Sequence, residues 1–321
     1  MKGDILHNDA ADDFLELVRT GQLKLGLDTG SILDNHIRYK DGTFNVILGH
    51  ANVGKTYWVL WYMLVIAIKH NKKFLIFSSE NTAGSLKRNL LELLAQKKLT
   101  EFSQHDFYKY KTQLEESFMF IDVDHLYSYN DLLDVFTKNI DKFDCCLIDP
   151  YNSLIRPKNI TGNSHEIDYQ VASEFRIFCR KHNKTLYVNA HASTEALRKT
   201  YNKEHDYAGF PIAPNASDIE GGGKWVNRAD DFIVIHRLTQ HPQRWMVTEI
   251  HVKKVKETAT GGAPTFMDEP VEFRLWDGCK FLSKNLVGEE VDVLSLRPVK
   301  EKMIEPNVDF DNEELFDINE V

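Results

Sequence analysis

Eight consecutive residues carry the clearest chemistry in the sequence. Residues 49–56 match G-x-x-x-x-G-K-[ST], the pattern of a loop that binds nucleotide phosphates. The loop is Gly49, His50, Ala51, Asn52, Val53, Gly54, Lys55 and Thr56. Its glycines let several backbone N–H groups point at one phosphate, and the dipole of a following helix favours the anion. Because Lys55 can reach the β- and γ-phosphates and the Thr56 hydroxyl can hold Mg²⁺, we predict a nucleoside triphosphate site.

The segments around this loop are those that such a site needs. Residues 44–48 read as a short buried strand, and residues 55–70 as a buried helix. A chance glycine turn is the alternative, and it requires neither neighbour. We therefore interpret residues 44–70 as a strand, a phosphate loop and a helix.

Two carboxylates follow apolar strands further along the chain. Asp149 comes directly after the strand at 143–148, which fits an acid that orients Mg²⁺. Glu80 comes after the strand at 73–78 and is a candidate base for the attacking water. Ligands of open α/β sheets bind at the carboxyl edge, where both groups should lie. The alternative for Glu80 is an exposed residue that caps the next helix near Thr82.

A histidine closes another predicted strand at the same edge. His191 follows the strand at 185–189 and could hydrogen-bond the γ-phosphate and sense its loss. A lone histidine at a strand end is more often structural, so this interpretation depends on the neighbouring motifs.

Strands alternate with helices over most of the chain. Further helices are predicted at 10–20, 82–95, 130–140 and 165–182, and further strands at 118–121, 232–236, 245–252 and 271–275. This order predicts an α/β fold with a mostly parallel central sheet, helices on both faces and antiparallel strands at one edge. We assign residues 1–30 to an N-terminal linker helix, 31–290 to one ATPase domain and 291–321 to an acidic tail.

Composition sets further bounds. The net charge is −9, but residues 301–321 carry eight carboxylates against one lysine, so the rest is nearly neutral and can still present a basic channel. We expect this acidic tail to be disordered and either to solvate the chain or to act as a docking peptide or a mimic of DNA. The longest apolar run, residues 58–68, is too short to span a membrane, and no export signal begins the chain. Cys145, Cys146, Cys179 and Cys279 lack C-x-x-C spacing, which favours free thiols in a reducing cytoplasm.

Taken together, these motifs resemble the RecA-like motor domain of hexameric replicative DNA helicases. The similarity is greatest to DnaB-type enzymes and to the helicase half of phage and mitochondrial primase–helicases. The matching pieces, in family order, are Gly49–Thr56, Phe77–Glu80, Leu147–Pro150, Asn189–His191, Asp218–Asp230 with Phe232–Arg237 behind it, and Lys254–Lys256. Together they cover roughly residues 10–280.

The resemblance implies a role for each motif. Glu80 is the expected catalytic base, Asp149 the magnesium-orienting acid and His191 the γ-phosphate sensor. Residues 221–223 resemble the loop that touches single-stranded DNA in a central pore, where glycines allow close approach of the backbone to phosphates. The expected DNA contacts are Gly221, Gly222, Gly223, Lys224, Arg228, Arg156 and Lys158.

Two positions depart from the pattern of those motors. Glu220 stands where the pore loop often has a basic residue. Lys254 and Lys256 stand where Lys-x-Arg is common, and such side chains reach the γ-phosphate of a neighbouring subunit. Lysine lacks the planar fork of arginine, so Arg237 is a further candidate for binding the nucleotide.

The resemblance therefore predicts an ATP- and Mg²⁺-dependent DNA helicase that forms a ring, expected to be a hexamer, on single-stranded DNA during replication. Its expected setting is the cytoplasm of a bacterial or phage-infected cell, with a replication protein as a partner for the acidic tail. One alternative is a RecA-like recombinase or single-strand-binding ATPase that forms filaments. The other is a loader or regulator that is gated by ATP and is no motor.

Overall fold

One large mixed sheet organises the molecule. The computed structural model describes residues 9–155, 164–220 and 222–295. Its ten strands lie in the order β10-β9-β8-β7-β6-β1-β5-β4-β2-β3, numbered along the chain. The six strands from β6 to β3 run parallel to one another, and β7 to β10 add antiparallel at one edge. The predicted fold class is thereby confirmed.

The helices and strands have the following bounds. The helices are α1 Asp9–Arg19, α2 Lys55–His70, α3 Ala83–Ala95, α4 Gln104–Glu115, α5 Tyr129–Lys138, α6 Ser164–His182, α7 Lys224–Arg228 and α8 Thr258–Gly261. The strands are β1 Phe44–Gly49, β2 Phe74–Ser78, β3 Phe118–Phe120, β4 Cys145–Asp149, β5 Thr185–His191, β6 Asp231–His236, β7 Val247–Val255, β8 Val271–Trp276, β9 Lys280–Lys284 and β10 Glu290–Val291.

Hydrophobic layers cover both faces of the sheet. Alternate residues of β1 point to opposite faces, so Phe44, Val46 and Leu48 join one apolar cluster while Ile47 joins the other. The first cluster packs under α5, α6 and α7, and the second under α2, α3 and α4. Because both faces are covered, the parallel strands are buried, and ligands can reach them only at their ends.

Some elements were not predicted from the sequence. They include α4 and the edge strands β9 and β10, although Ser103 and Asp106 form a capping box that marks the start of α4. The packed part of the chain also continues a little past residue 290, because Val293 and Leu294 are buried in the core. The four cysteines are buried and free, as predicted.

Some predicted features lie outside the described residues. They are Arg156, Lys158, Gly221 and nearly all of the acidic tail. Helix α1 is described, and its Phe14, Leu17 and Val18 side chains are exposed on one stripe. None of the described helices is long and apolar enough to cross a membrane.

Candidate active site

The phosphate loop connects the end of β1 to the start of α2. Gly54 has φ +85°, a left-handed conformation that favours glycine, and it directly precedes the first residue of the helix. At Gly49 a Cβ would lie 2.5 Å from the Ile235 carbonyl oxygen, so only glycine fits beside β6. Both fixed glycines of the motif therefore have a structural reason.

Lys55 is the buried cation of this loop. Its Nζ donates hydrogen bonds to the carbonyl oxygens of Gly49 at 3.0 Å and His50 at 2.8 Å. Burial lowers the pKa of Lys55 to about 8. The ammonium group is thus held inside the loop, where water stabilises its charge poorly. The negative charge of nucleotide phosphates would stabilise the protonated form.

Thr56 and Asp149 form the oxygen-rich part of the site. The Thr56 hydroxyl donates to Asp149 Oδ2 at 2.8 Å, and the Asn189 amide donates to Oδ1 at 2.7 Å. Asp149 is only 2% exposed, and burial raises its pKa despite these two hydrogen bonds. A hydroxyl and a carboxylate are ligands that suit Mg²⁺, and an added cation would favour the ionised carboxylate, so the residues present fit this metal.

Glu80 and His191 meet at the same edge of the sheet. Glu80 Oε1 lies 3.0 Å from His191 Nε2, while His191 Nδ1 lies 3.4 Å from Lys55 Nζ. Thr82 caps α3 with its own side chain, which accepts from the Ser85 N–H, so Glu80 does not serve as that cap. Glu80 is exposed enough to reach a water molecule beside the phosphate loop.

Arg237 approaches the phosphate loop of its own chain. A Cβ placed on Gly54 would lie 3.5 Å from an Arg237 guanidinium nitrogen. The Arg237 Nε–H donates to the Trp245 carbonyl oxygen, and burial lowers the pKa of this arginine. Its guanidinium group therefore lies beside the phosphate loop of its own chain.

Lys254 and Lys256 lie at the ends of the strands that are opposite to the phosphate loop. Val255 pairs with Asp231, the first residue of β6, which places both lysines at the amino ends of the parallel strands. Lys254 Nζ donates to two carbonyl oxygens of α7 and its end, each at 2.7 Å. Lys256 is more exposed, with its Nζ 3.5 Å from Asp230 Oδ1. Neither ammonium group belongs to the site of its own chain.

Gly222 and Gly223, here called the glycine loop, come shortly after residues 219–220, which pair with the end of β5. Gly222 has φ +94°, and Gly223 precedes the first residue of α7. Lys224 begins this helix, and the Arg228 guanidinium lies 4.1 Å from the Tyr169 ring centroid. These groups do not lie on the phosphate loop. This agrees with the resemblance, which assigns them to contacts with DNA.

Two functional candidates had no role assigned from the sequence. Asn189, which was named only within the piece Asn189–His191, orients Asp149, and Asn152 contacts the end of β5. Asn189 lies two residues before His191 on the same strand, so the alternation of side chains could have indicated that it faces the same site.

The site and sheet together define the class of protein. A phosphate loop between β1 and α2, a buried acid at the end of β4 and antiparallel strands beside β6 describe a P-loop nucleotide-binding domain of the RecA-like type.

Comparisons with known proteins agree with this class. No protein-family model matches the chain. It is 25% identical over 258 residues to the "Twinkle homolog protein, chloroplastic/mitochondrial" of Arabidopsis thaliana, a match that covers 76% of this chain and 35% of that protein. The chain thus spans about a third of the length of this curated relative.

Two solved structures show the same fold. A solved ATPase domain superposes with a TM-score of 0.68 at 15% identity, covering 88% of this chain and 100% of that one. A DnaB-like replicative helicase, solved in a study of its interactions with primase, superposes with a TM-score of 0.64 at 16% identity. The match covers 85% of this chain and 65% of that one. The fold is that of helicase ATPase domains, and the resemblance drawn from the sequence is confirmed at the level of fold.

Proposed function

We propose that the chain is the motor of an ATP-dependent DNA helicase that forms a ring and moves along single-stranded DNA. One observation carries the proposal. Lys55, Thr56, Asp149, Glu80 and His191 come from four different strand ends and converge on one edge of the sheet. A binding site that never hydrolyses its nucleotide has no need for Glu80 beside it.

The proposed chemistry divides among these side chains. Lys55 binds the β- and γ-phosphates through a charge that the loop has already desolvated. Mg²⁺, held by Thr56 and Asp149, would neutralise charge on the phosphate oxygens. Glu80 orients the attacking water and accepts its proton, while His191 holds Glu80 in place and reports on the γ-phosphate.

Assembly completes the proposed site. Lys256 projects from the edge opposite to its own phosphate loop, so it can act only on a nucleotide held by another subunit. The exposed apolar stripe of α1 would bind a neighbouring copy. Both features fit a closed ring, for which we propose a hexamer, with the glycine loop facing DNA in its centre.

ATP turnover measured with and without single-stranded DNA tests the proposal. We expect stimulation by single-stranded DNA and closed rings in electron micrographs of the same samples. The Lys55→Ala variant is the control and should show neither ATP turnover nor its stimulation. Turnover that ignores DNA, or filaments in place of rings, would contradict the proposal.

A further inference from the structure

A short antiparallel ribbon joins the nucleotide site to the glycine loop. The end of β5 and residues 218–220 run side by side, with Ala192 bridged to Ile219. The Glu220 N–H donates to the His191 carbonyl oxygen at 3.1 Å. Two residues beyond Glu220, the chain enters the left-handed turn at Gly222. Movement of His191 therefore has a direct path to the glycine loop.

The Asn152 side chain is hydrogen-bonded to both strands of this ribbon. It lies in the single turn of 3₁₀ helix, Tyr151–Ser153, that follows β4 and Asp149. Its Oδ1 accepts from the His191 N–H at 3.2 Å, and its Nδ2 donates to Glu220 Oε2 at 2.9 Å. One side chain thus holds both strands of the ribbon.

The residue type follows from these two partners. A backbone N–H can only donate and a carboxylate can only accept, so the bridging group must offer one acceptor and one donor. An asparagine amide does so, and these partners also fix which way round the amide lies. Aspartate in this place would lack the donor and would repel Glu220.

The same ribbon touches the phosphate loop at its other end. The Ala192 N–H donates to the Gly49 carbonyl oxygen at 3.2 Å, and His191 Nε2 lies 3.0 Å from Glu80 Oε1. Asn152 therefore connects His191, which contacts Glu80, to Glu220, two residues before Gly222. The Glu220 carboxylate, which by itself would repel DNA phosphates, is turned onto the Asn152 amide.

We propose that Asn152 and Glu220 are a positioning pair that transmits the nucleotide state to the glycine loop. The pair acts by holding the main chain of His191 and residues 218–220 in register. The inference rests on the proposed function for the nucleotide site beside His191 and for the assignment of single-stranded DNA to that loop.

Hydrogen–deuterium exchange of the full chain tests this pair without DNA. Peptides covering residues 216–228 are compared with and without a non-hydrolysable ATP analogue and Mg²⁺. We expect the analogue to slow exchange in the wild type, and Asn152→Ala to abolish that difference while peptides covering 45–60 still respond to the analogue. Ser153→Ala is the matched control, because it removes a hydroxyl bonded to the Pro150 carbonyl oxygen in the same turn.

A double-mutant comparison adds a second readout. Glu220→Ala should match Asn152→Ala, and the double variant should be no worse than either, since all three lose one coupling. The affinity for single-stranded DNA is then measured with and without the analogue. In each variant the ratio of the two affinities should be at least about fivefold smaller than in the wild type, which is the lower range of allosteric coupling.

Specific results would overturn the pair. One is wild-type exchange in residues 216–228 that the analogue does not change. Another is exchange in Asn152→Ala that the analogue slows as much as in the wild type. The third is a Ser153→Ala variant that loses the effect of the analogue as fully as Asn152→Ala. If exchange behaves as expected and the wild type never responds to single-stranded DNA, the positioning pair stands and the helicase proposal fails.

Discussion

At the scale of single residues, the desolvated charge of Lys55 gives nucleotide binding a distinctive pH dependence. Burial lowers its pKa to about 8, so the free protein loses this proton as the pH rises through that value. Only the protonated form attracts phosphate, and ATP affinity should therefore fall above about pH 8. Titration of ATP binding between pH 7 and 9.5 measures the effect. Lys55→Ala should lose tight binding at every pH.

Lys55→Arg separates charge from geometry in that titration. A guanidinium stays protonated throughout this range, so whatever affinity the variant retains should show a flatter pH profile. A wild-type affinity that is constant up to pH 9.5 would contradict the assignment.

Glu80 is the residue whose loss should separate binding from hydrolysis. Glu80→Gln keeps a hydrogen-bond acceptor near His191 but cannot take a proton from water. We expect ATP binding and assembly to persist while turnover falls at least about 100-fold, as for the loss of a positioned general base. Single-turnover hydrolysis measures this. Glu195→Gln, at an exposed position four residues after His191 and outside the contacts described for the site, is a control. Turnover within a few-fold of the wild type would move the base elsewhere.

The limits of prediction are clearest for two asparagines. Lys55, Thr56, Glu80 and Asp149 were named from the sequence because motif spacing and strand ends fix their chemistry. Asn189 was named only as part of the piece Asn189–His191 and had no role assigned, because its partner Asp149 is 40 residues away and only the parallel pairing of β4 with β5 joins them. Asn152 depends in the same way on Glu220, which is 68 residues away.

At the scale of elements, the glycine loop offers a sharp test. Gly222 has φ +94°, which a β-branched residue adopts only with strain of about 1–2 kcal/mol. We expect Gly222→Val to keep basal ATP hydrolysis but to lose both its stimulation by single-stranded DNA and unwinding, since a Cβ also hinders approach to phosphates. ATPase assays with and without DNA measure this.

A second glycine supplies the control for backbone strain. Gly209 has φ +82°, and a Cβ there meets nothing within 4 Å. Gly209→Val therefore imposes similar strain away from the glycine loop and should retain DNA stimulation. If the two variants behave alike, strain alone would explain the loss and the loop would have no special role.

Elements were predictable where a local pattern was strong. Helix α2 and the strands of the parallel sheet are buried on all sides, so their sequences are continuous hydrophobic runs that are easily recognised. The edge strands β9 and β10 are short, and much of β9 is not buried, so their existence depends on pairing with distant partners. The family resemblance predicts that Lys254 reaches a neighbouring subunit; within the single chain its ammonium group donates to carbonyl oxygens at the end of α7.

At the scale of the whole molecule, Lys256 lies at the opposite ends of the parallel strands from its own phosphate loop, so the proposed role of this lysine requires a neighbouring subunit. If Lys256 acts on an adjacent nucleotide, turnover per subunit should rise steeply with protein concentration. Mixing Lys256→Ala chains with Glu80→Gln chains should restore some activity, because some interfaces combine an intact Glu80 with an intact Lys256. ATPase titrations of each variant and of the mixture measure this.

Lys253→Ala is a neighbouring control for that mixing experiment. Lys253 lies on the same strand with its Nζ 3.4 Å from Asn215 Oδ1, away from the Asp230 carboxylate beside Lys256. Concentration-independent turnover without recovery in the mixture would exclude action between subunits.

Strand separation on a forked duplex tests the central claim most directly. A ring that grips one strand and excludes the other needs a free tail, so we predict ATP- and Mg²⁺-dependent separation of forked DNA and little activity on a blunt duplex. The family resemblance predicts loading on the 5′ tail and movement 5′ to 3′, so 5′-tailed and 3′-tailed duplexes are compared with Glu80→Gln as control. The account is contradicted if single-stranded DNA stimulates ATP hydrolysis, no substrate is separated and micrographs show filaments in place of rings.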